Sequence, residues 1–251
     1  MSGGGDDGGA RPVAASLRRI ADWFTRDEPA APGQWLGRFV ILRLLGVIYL
    51  MAFLTLVNQG RGLIGAHGLE PAGAFLDDVA AQLGGRGAGF RAMPTLFWLG
   101  AGDHAIAAVG WIGVALSLLT IAGYANALTL TVLCALQISV IDIGQDFYAF
   151  GWETQLVETG FLCIFLCPLL DARPFPRRPP PAAAIWMLRW LIIRVMWGAG
   201  LIKLRGDPCW RDLTCLDFHF ETQPVPSPLS PLFHFLPAWA HELGVLFNHV
   251  A

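Results

Sequence analysis

Six ionisable side chains, Arg43, Glu153, Glu158, Arg189, Arg194 and Lys203, fall inside stretches that are otherwise apolar. A charge in hydrocarbon costs several kcal/mol unless it is paired, wetted or within reach of the boundary, so each needs a physical reason. In one reading Arg43 and Arg189 snorkel to the cytoplasmic boundary while the glutamates make structural pairs. In the other the six groups line a polar chamber for a proton, an ion or a substrate. A second cluster follows, with Cys209 and Cys215 close together and then Asp217, His219 and Glu221 alternating. In an extended strand these three share a face, the pattern either of a metal site or of a solvated polar edge. Signatures of soluble catalysis are missing: there is no G-x-S-x-G, no G-x-G-x-x-G and no P-loop, and His241-Glu242 lacks the second histidine of H-E-x-x-H. The reading assigns no metal, no cofactor and no soluble catalytic residue.

The elements that must position these residues are set by composition. The 251 residues are 55% hydrophobic and 14% charged, against roughly a quarter charged in an ordinary soluble domain. Their mean hydropathy is +0.52. A net charge of -2, with Lys and Arg spread along the chain, offers no field for nucleic acid, which is excluded as a partner. The partner implied instead is a lipid bilayer. A spanning helix needs about 20 largely apolar residues, and five windows qualify: Phe39 to Val57, Ala105 to Gly123, Ala125 to Ile143, Trp152 to Leu170 and Ile185 to Leu204. The expected fold is therefore an all-α integral membrane protein, a polytopic bundle of about five transmembrane helices with interfacial helices. Asn126 and Asp142 blur the edges of the third window, and two glutamates lie inside the fourth.

Residues 1–38 read as a cytoplasmic segment whose first ten residues lack apolar side chains and are expected to be disordered. Five arginines precede the first window, so it serves as an uncleaved anchor and not as a signal peptide. Arg173, Arg177 and Arg178 sit in the link between the fourth and fifth windows, where Pro179 to Pro181 should stiffen the chain, and none lies between Asp142 and Trp152. The positive-inside rule then puts the amino terminus in the cytoplasm. Asn58 to His104 and everything after Leu204 fall on the far side. The apolar stretches Met93 to Ala101 and Leu232 to Phe247 are too short to span and are expected in the interface or against the bundle. The division is thus 1–38 cytoplasmic, 39–204 bundle, and 205–251 far-side loop and interfacial tail.

Counting depth along antiparallel fourth and fifth helices puts Glu153 and Lys203 near the outer boundary, with Glu158 roughly 9 Å and Arg194 roughly 15 Å deep. Two ion pairs, Glu153–Lys203 and Glu158–Arg194, are geometrically possible. Cys163 and Cys167, four apart in the fourth window, read as small apolar filling on one helix face. Cys209 and Cys215 lie on the oxidising side, so a disulfide is expected, the alternative being two free thiols. So short a loop would be stabilised by about 2 kcal/mol on the chain-entropy estimate. Beyond it, Thr222 to Pro231, with four prolines, should form an extended strap.

The longest distinctive run is Gly198 to Pro231, GAGLIKLRGDPCWRDLTCLDFHFETQPVPSPLSP. It resembles the lipase maturation factor family, which carries a nearly identical stretch with Lys203, Arg205, Gly206, Asp207, Cys209 to Cys215, Asp217-Phe218-His219, Glu221-Thr222-Gln223-Pro224 and Pro228 in register. The resemblance extends back through Arg189 to Ile192, Gly151 to Leu156 and Glu158 to Leu162 to Ile64-Gly65 and Gly68-Leu69 with Pro71, covering about residues 35 to 250. It implies a multi-pass protein that assists folding and assembly of secreted lipases or other exported clients. The membrane would be that of the endoplasmic reticulum in a eukaryote, or the inner membrane in a bacterium. Members continue into a further membrane segment and a large carboxy-terminal domain, so the resemblance concerns the membrane-spanning part. It marks Arg205, Asp207, Cys209, Trp210, Arg211, Asp212, Cys215, Asp217, His219, Glu221 and Gln223 as a partner-facing or structural motif. A weaker likeness, of the small-residue run before Lys203-Leu204 to vitamin K-dependent carboxylases, implies the alternative of a membrane-embedded enzyme with Lys203 as its base.

Overall fold

The computed structural model describes residues 32–168, 171, 173, 179–223 and 226–250. The amino-terminal arginines before residue 32, together with Arg177 and Arg178, lie outside them. The chain divides into two compact units, one running to Leu188 and the other from Arg189 onward. The first contains α1 (Pro32–Ile64), α2 (Ala72–Leu83), α3 (Arg86–Ala92), α4 (Asp103–Ala122), α5 (Ala127–Ile143) and α6 (Gly151–Leu166), with 3-10 turns at Leu96–Leu99 and Gln145–Tyr148. The division falls inside α7 (Ala182–Arg205), after which come a 3-10 turn at Pro208–Trp210, α8 (Cys215–Thr222), α9 (Ser230–His234) and α10 (Ala238–Val250). No strand occurs among the described residues.

Each of the five apolar windows contains a helix, but only three described helices are long and apolar enough to cross a membrane: Gln34–Ile64, Asp103–Ala122 and Ala182–Arg205. The 17 residues of α5 and the 16 of α6 rise about 25 and 24 Å, short of a hydrocarbon core of about 30 Å. Helix α6 ends before the Leu170 expected from composition because Cys167 leaves the helix at φ -96° and ψ 149°. Pro168 follows, and a residue before proline is pushed out of the helical region. Cys163 and Cys167 therefore do not share a helix face: Cys163 is buried on α6, and Cys167 lies just past its end. At the start of α5, Asn126 accepts from the Thr129 N–H at 2.8 Å, so the polar residue that blurs the third window is its N-cap.

Small residues let α1 and α4 approach closely. A Cβ on Gly113 would run into the Phe53 ring, one on Gly110 would stand 2.7 Å from Val57 Cγ2, and one on Gly46 3.0 Å from Ile121 Cγ1. Such contacts bring backbones together where lipid supplies no hydrophobic drive. The core around them holds Tyr49, Phe53, Leu56, Ile106, Leu130, Leu133 and Leu166. Met93 to Ala101 packs on the helices as expected: Phe97 and Trp98 are buried, Thr95 Oγ1 donates to the Ser139 carbonyl at 3.0 Å, and Ser139 Oγ accepts from the Leu96 N–H at 3.1 Å. Asp103, at the start of α4, accepts from the Arg61 guanidinium at 3.2 Å and from the Ala66 N–H at 2.8 Å, closing the link after α1.

The outer faces are apolar as well. Leu44, Met51, Trp111, Leu128, Phe161 and Phe165 are all exposed, which water would penalise and lipid accepts. This is a membrane protein's surface.

Candidate functional site

Among the ionisable residues of the apolar helices, Arg43, Glu153 and Lys203 each make separate contacts within their own units. Arg43 folds back along α1, donating to the Phe39 carbonyl at 3.2 Å with its guanidinium over the Phe39 ring, in the manner of a snorkelling side chain. Glu153 is 2% exposed and accepts from Gln137 Nε2 at 2.5 Å, a buried contact between α6 and α5. Glu158 on α6 and Arg189 and Arg194 on α7 each make interactions of their own. Lys203 donates to Asn248 Oδ1 at 2.8 Å, with its ammonium 5.1 Å from the centre of the Trp210 indole. Within its own unit, then, each member of the expected Glu153–Lys203 pair is bonded to a neutral amide. Nothing favours the alternative of Lys203 as a base: the residue is half-exposed and is engaged as a donor to an amide.

The second unit assembles the motif from α7 onward. Helix α7 ends as the Gly206 N–H donates to Ile202 O at 2.7 Å, and the turn is capped by Asp207, whose carboxylate accepts from the Cys209 N–H at 2.9 Å. Cys209 and Cys215 form a disulfide with Cα atoms 4.7 Å apart. Inside the loop, Leu213 takes a left-handed φ of 62°, and the Thr214 N–H donates to Cys209 O at 3.0 Å. The expected disulfide-closed loop is thus formed, and it orders the chain directly into α8.

Two expectations for the residues beyond it are corrected. Asp217, His219 and Glu221 are helical, not extended, so Asp217 and Glu221 lie one turn apart while His219 points roughly the opposite way. Helix forms because no proline intervenes before Pro224 and because Leu216, Asp217 and Phe220, at helical spacing, meet α10 and α9. The extended-face basis for a metal site is removed, and among the described residues no group of three His, Cys, Asp or Glu is placed to hold a metal. The proline strap is also not extended throughout, since Pro231 sits in the first turn of α9, where a missing N–H costs nothing. Pro224 and Val225 lie outside the described residues.

The tail supplies partners that motif reading misses. His241 on α10 is buried, with Nδ1 against Asp217 Oδ1 and Nε2 2.8 Å from the Phe233 carbonyl. The Phe220 ring packs over it at 5.6 Å and stacks on Phe233 at 5.9 Å. Both nitrogens face acceptors, so only the doubly protonated imidazolium satisfies both, and the Phe233 carbonyl and then Asp217 raise its pKa above the ordinary value. Nearby, His249 Nε2 meets the Trp210 carbonyl at 2.9 Å, and Gln223 Oε1 accepts from Ser230 Oγ at 3.0 Å. A Cβ on Gly244 would stand 2.5 Å from Leu216 Cδ1, so α8 and α10 pack closely there. The available signal was the helical period of His241-Glu242-Leu243-Gly244-Val245, which puts His241, Gly244 and Val245 on one side of an otherwise apolar segment. Arg205, Asp207, Arg211, Asp212, His219 and Glu221 remain exposed around this framework.

Residues 36–251 match the family model described as the lipase maturation factor transmembrane domain. Lipase maturation factor 1 of Bos taurus is 46% identical over 263 aligned positions, covering 96% of this chain and 47% of the relative. The Homo sapiens protein of that name is 41% identical over 94% of this chain and 46% of its own length. Lipase maturation factor 2 of Gallus gallus is 33% identical over 85% of this chain and 31% of its own. The chain thus spans about half the length, or less, of the curated relatives it matches. No solved structure matches it. An all-helical membrane chain carrying the disulfide motif and matched from residue 36 to its last residue belongs to the lipase maturation factor family.

Proposed function

We propose that this chain is the membrane part of a factor that assists folding or assembly of secreted lipases or other exported proteins, with the disulfide loop as its client-facing surface. The observation that carries this reading is an ordered loop, closed by Cys209–Cys215 and braced by α8 and α10, that leaves Arg205, Asp207, Arg211, Asp212, His219 and Glu221 exposed. A preorganised polar surface loses little freedom on binding a partner. The relatives' names supply the client class, lipases. On this reading the bundle crosses the membrane about five times, the shorter α5 and α6 spanning where the bilayer thins around them, with the amino terminus in the cytoplasm, in the endoplasmic reticulum of a eukaryote or the inner membrane of a bacterium. Arginine placement supports that orientation.

The test is a photo-crosslinking residue at Arg211 in the full-length protein, co-expressed with a secreted dimeric lipase. Crosslinking to the immature lipase is expected, and it should disappear when the probe is moved to lipid-facing Trp111. Equal labelling from both positions, or none from Arg211, contradicts a client-facing loop.

A further inference from the structure

Between the end of α7 and α10 lies a groove of about 530 Å³. Its walls include Met196, Trp197, Leu201 and Val250, and its polar end is Lys203 with Asn248. Lys203 Nζ is bonded to the neutral Asn248 amide and faces the Trp210 ring, and among the described residues no carboxylate is paired with it. A half-exposed ammonium at the head of an apolar groove is complementary to one class of ligand, an amphiphile with an anionic head.

Depth points the same way. Helix α7 is 24 residues long, about 36 Å, and Lys203 lies two residues from its end, at the level of lipid headgroups. Met196 and Trp197 lie about 9 to 10 Å deeper along the axis, in the acyl region. Trp197, in the groove wall, is 70% exposed, so this face is uncovered. At Gly200 a Cβ would meet nothing within 4 Å, leaving the groove floor open.

We propose that this groove binds one anionic phospholipid of the bilayer, its phosphate on the Lys203 ammonium and an acyl chain along Trp197, Met196 and Leu201. Asn248 holds the lysine so that its remaining protons face the headgroup, and the Trp210 ring helps to fix the ammonium. The inference rests on α7 crossing the bilayer, which reporter fusions test separately from lipid binding.

Full-length protein in nanodiscs of phosphatidylcholine with graded phosphatidylglycerol is released into native mass spectrometry, and retained lipids are counted. At least tenfold preferential retention of one phosphatidylglycerol is expected. Lys203→Gln should abolish the preference, and Lys203→Arg should keep it. Gly200→Phe fills the groove from open space without touching the cation, and should lose the lipid while the Cys209–Cys215 disulfide and helical content are unchanged. Soluble glycerol phosphate in millimolar excess should not displace the lipid. No headgroup preference in the wild-type protein, retention unchanged in both Lys203→Gln and Gly200→Phe, or full displacement by glycerol phosphate overturns the proposal.

Discussion

At the scale of the residue, His241 is the most informative group, because its ring makes a chemical demand that only one protonation state meets. Held between Asp217 and the Phe233 carbonyl, its pKa lies above the ordinary 6.5. A proton bound more tightly in the folded than in the unfolded chain stabilises the fold. That contribution is complete below the ordinary value and is lost as pH rises through the raised one. We therefore predict that amides of residues 238–250, corrected for intrinsic exchange rates, are better protected at pH 6 than at pH 8.5. The His241→Gln variant should show no such difference, and equal protection of the wild-type chain at both values would refute the imidazolium. The chemistry of Asp217 was visible in the sequence, but its partner was not. The two are separated by 24 residues that include the proline segment, and spacing alone does not reveal which residue a chain folds back to meet.

At the scale of the element, apolar length located five helices because lipid-facing and core-facing positions are both apolar, leaving an uninterrupted signal. It did not locate their ends. Helix α1 runs on to Ile64, past the apolar window that stops at Val57, and α6 stops at its Cys167-Pro168 exit. Helix α2 sits in a stretch the composition left as a long loop, though Phe75, Leu76 and Val79 at helical spacing, Pro71 before it and Gly84 at φ 83° after it are readable signals. Two substitutions test the packing described. Asn126→Ala removes the α5 cap and should cost about 1 kcal/mol, seen as a lower Tm in detergent, whereas Asn126→Ser should retain most of it. Gly113→Leu drives a side chain into Phe53 and should destabilise by about 1–3 kcal/mol or more. Unchanged melting in Gly113→Leu would mean that α1 and α4 do not pack as described.

At the scale of the whole molecule, the first unit has the surface and small-residue packing of a membrane bundle, and the second organises a disulfide loop on a short helical framework. Family membership was legible because the motif from Lys203 to Pro228 is long and chemically varied. The helical state of residues 215–222 was not, because alternating polar residues are compatible with a strand until a tertiary partner selects the helix. Topology is tested by fusions: a reporter after Ala251 should be active only on the far side of the membrane, and exclusive activity in the cytoplasm would refute an odd number of crossings. The central claim, that the closed loop serves a client and not merely the fold, is tested most directly by replacing Cys209 and Cys215 together with Ser in the full-length protein. Secreted lipase activity is then measured in cells lacking their own maturation factor, alongside membrane insertion and helical content. The account predicts normal insertion and helicity with lipase activity reduced to that of cells without the factor. Full lipase activity from the double variant would contradict it.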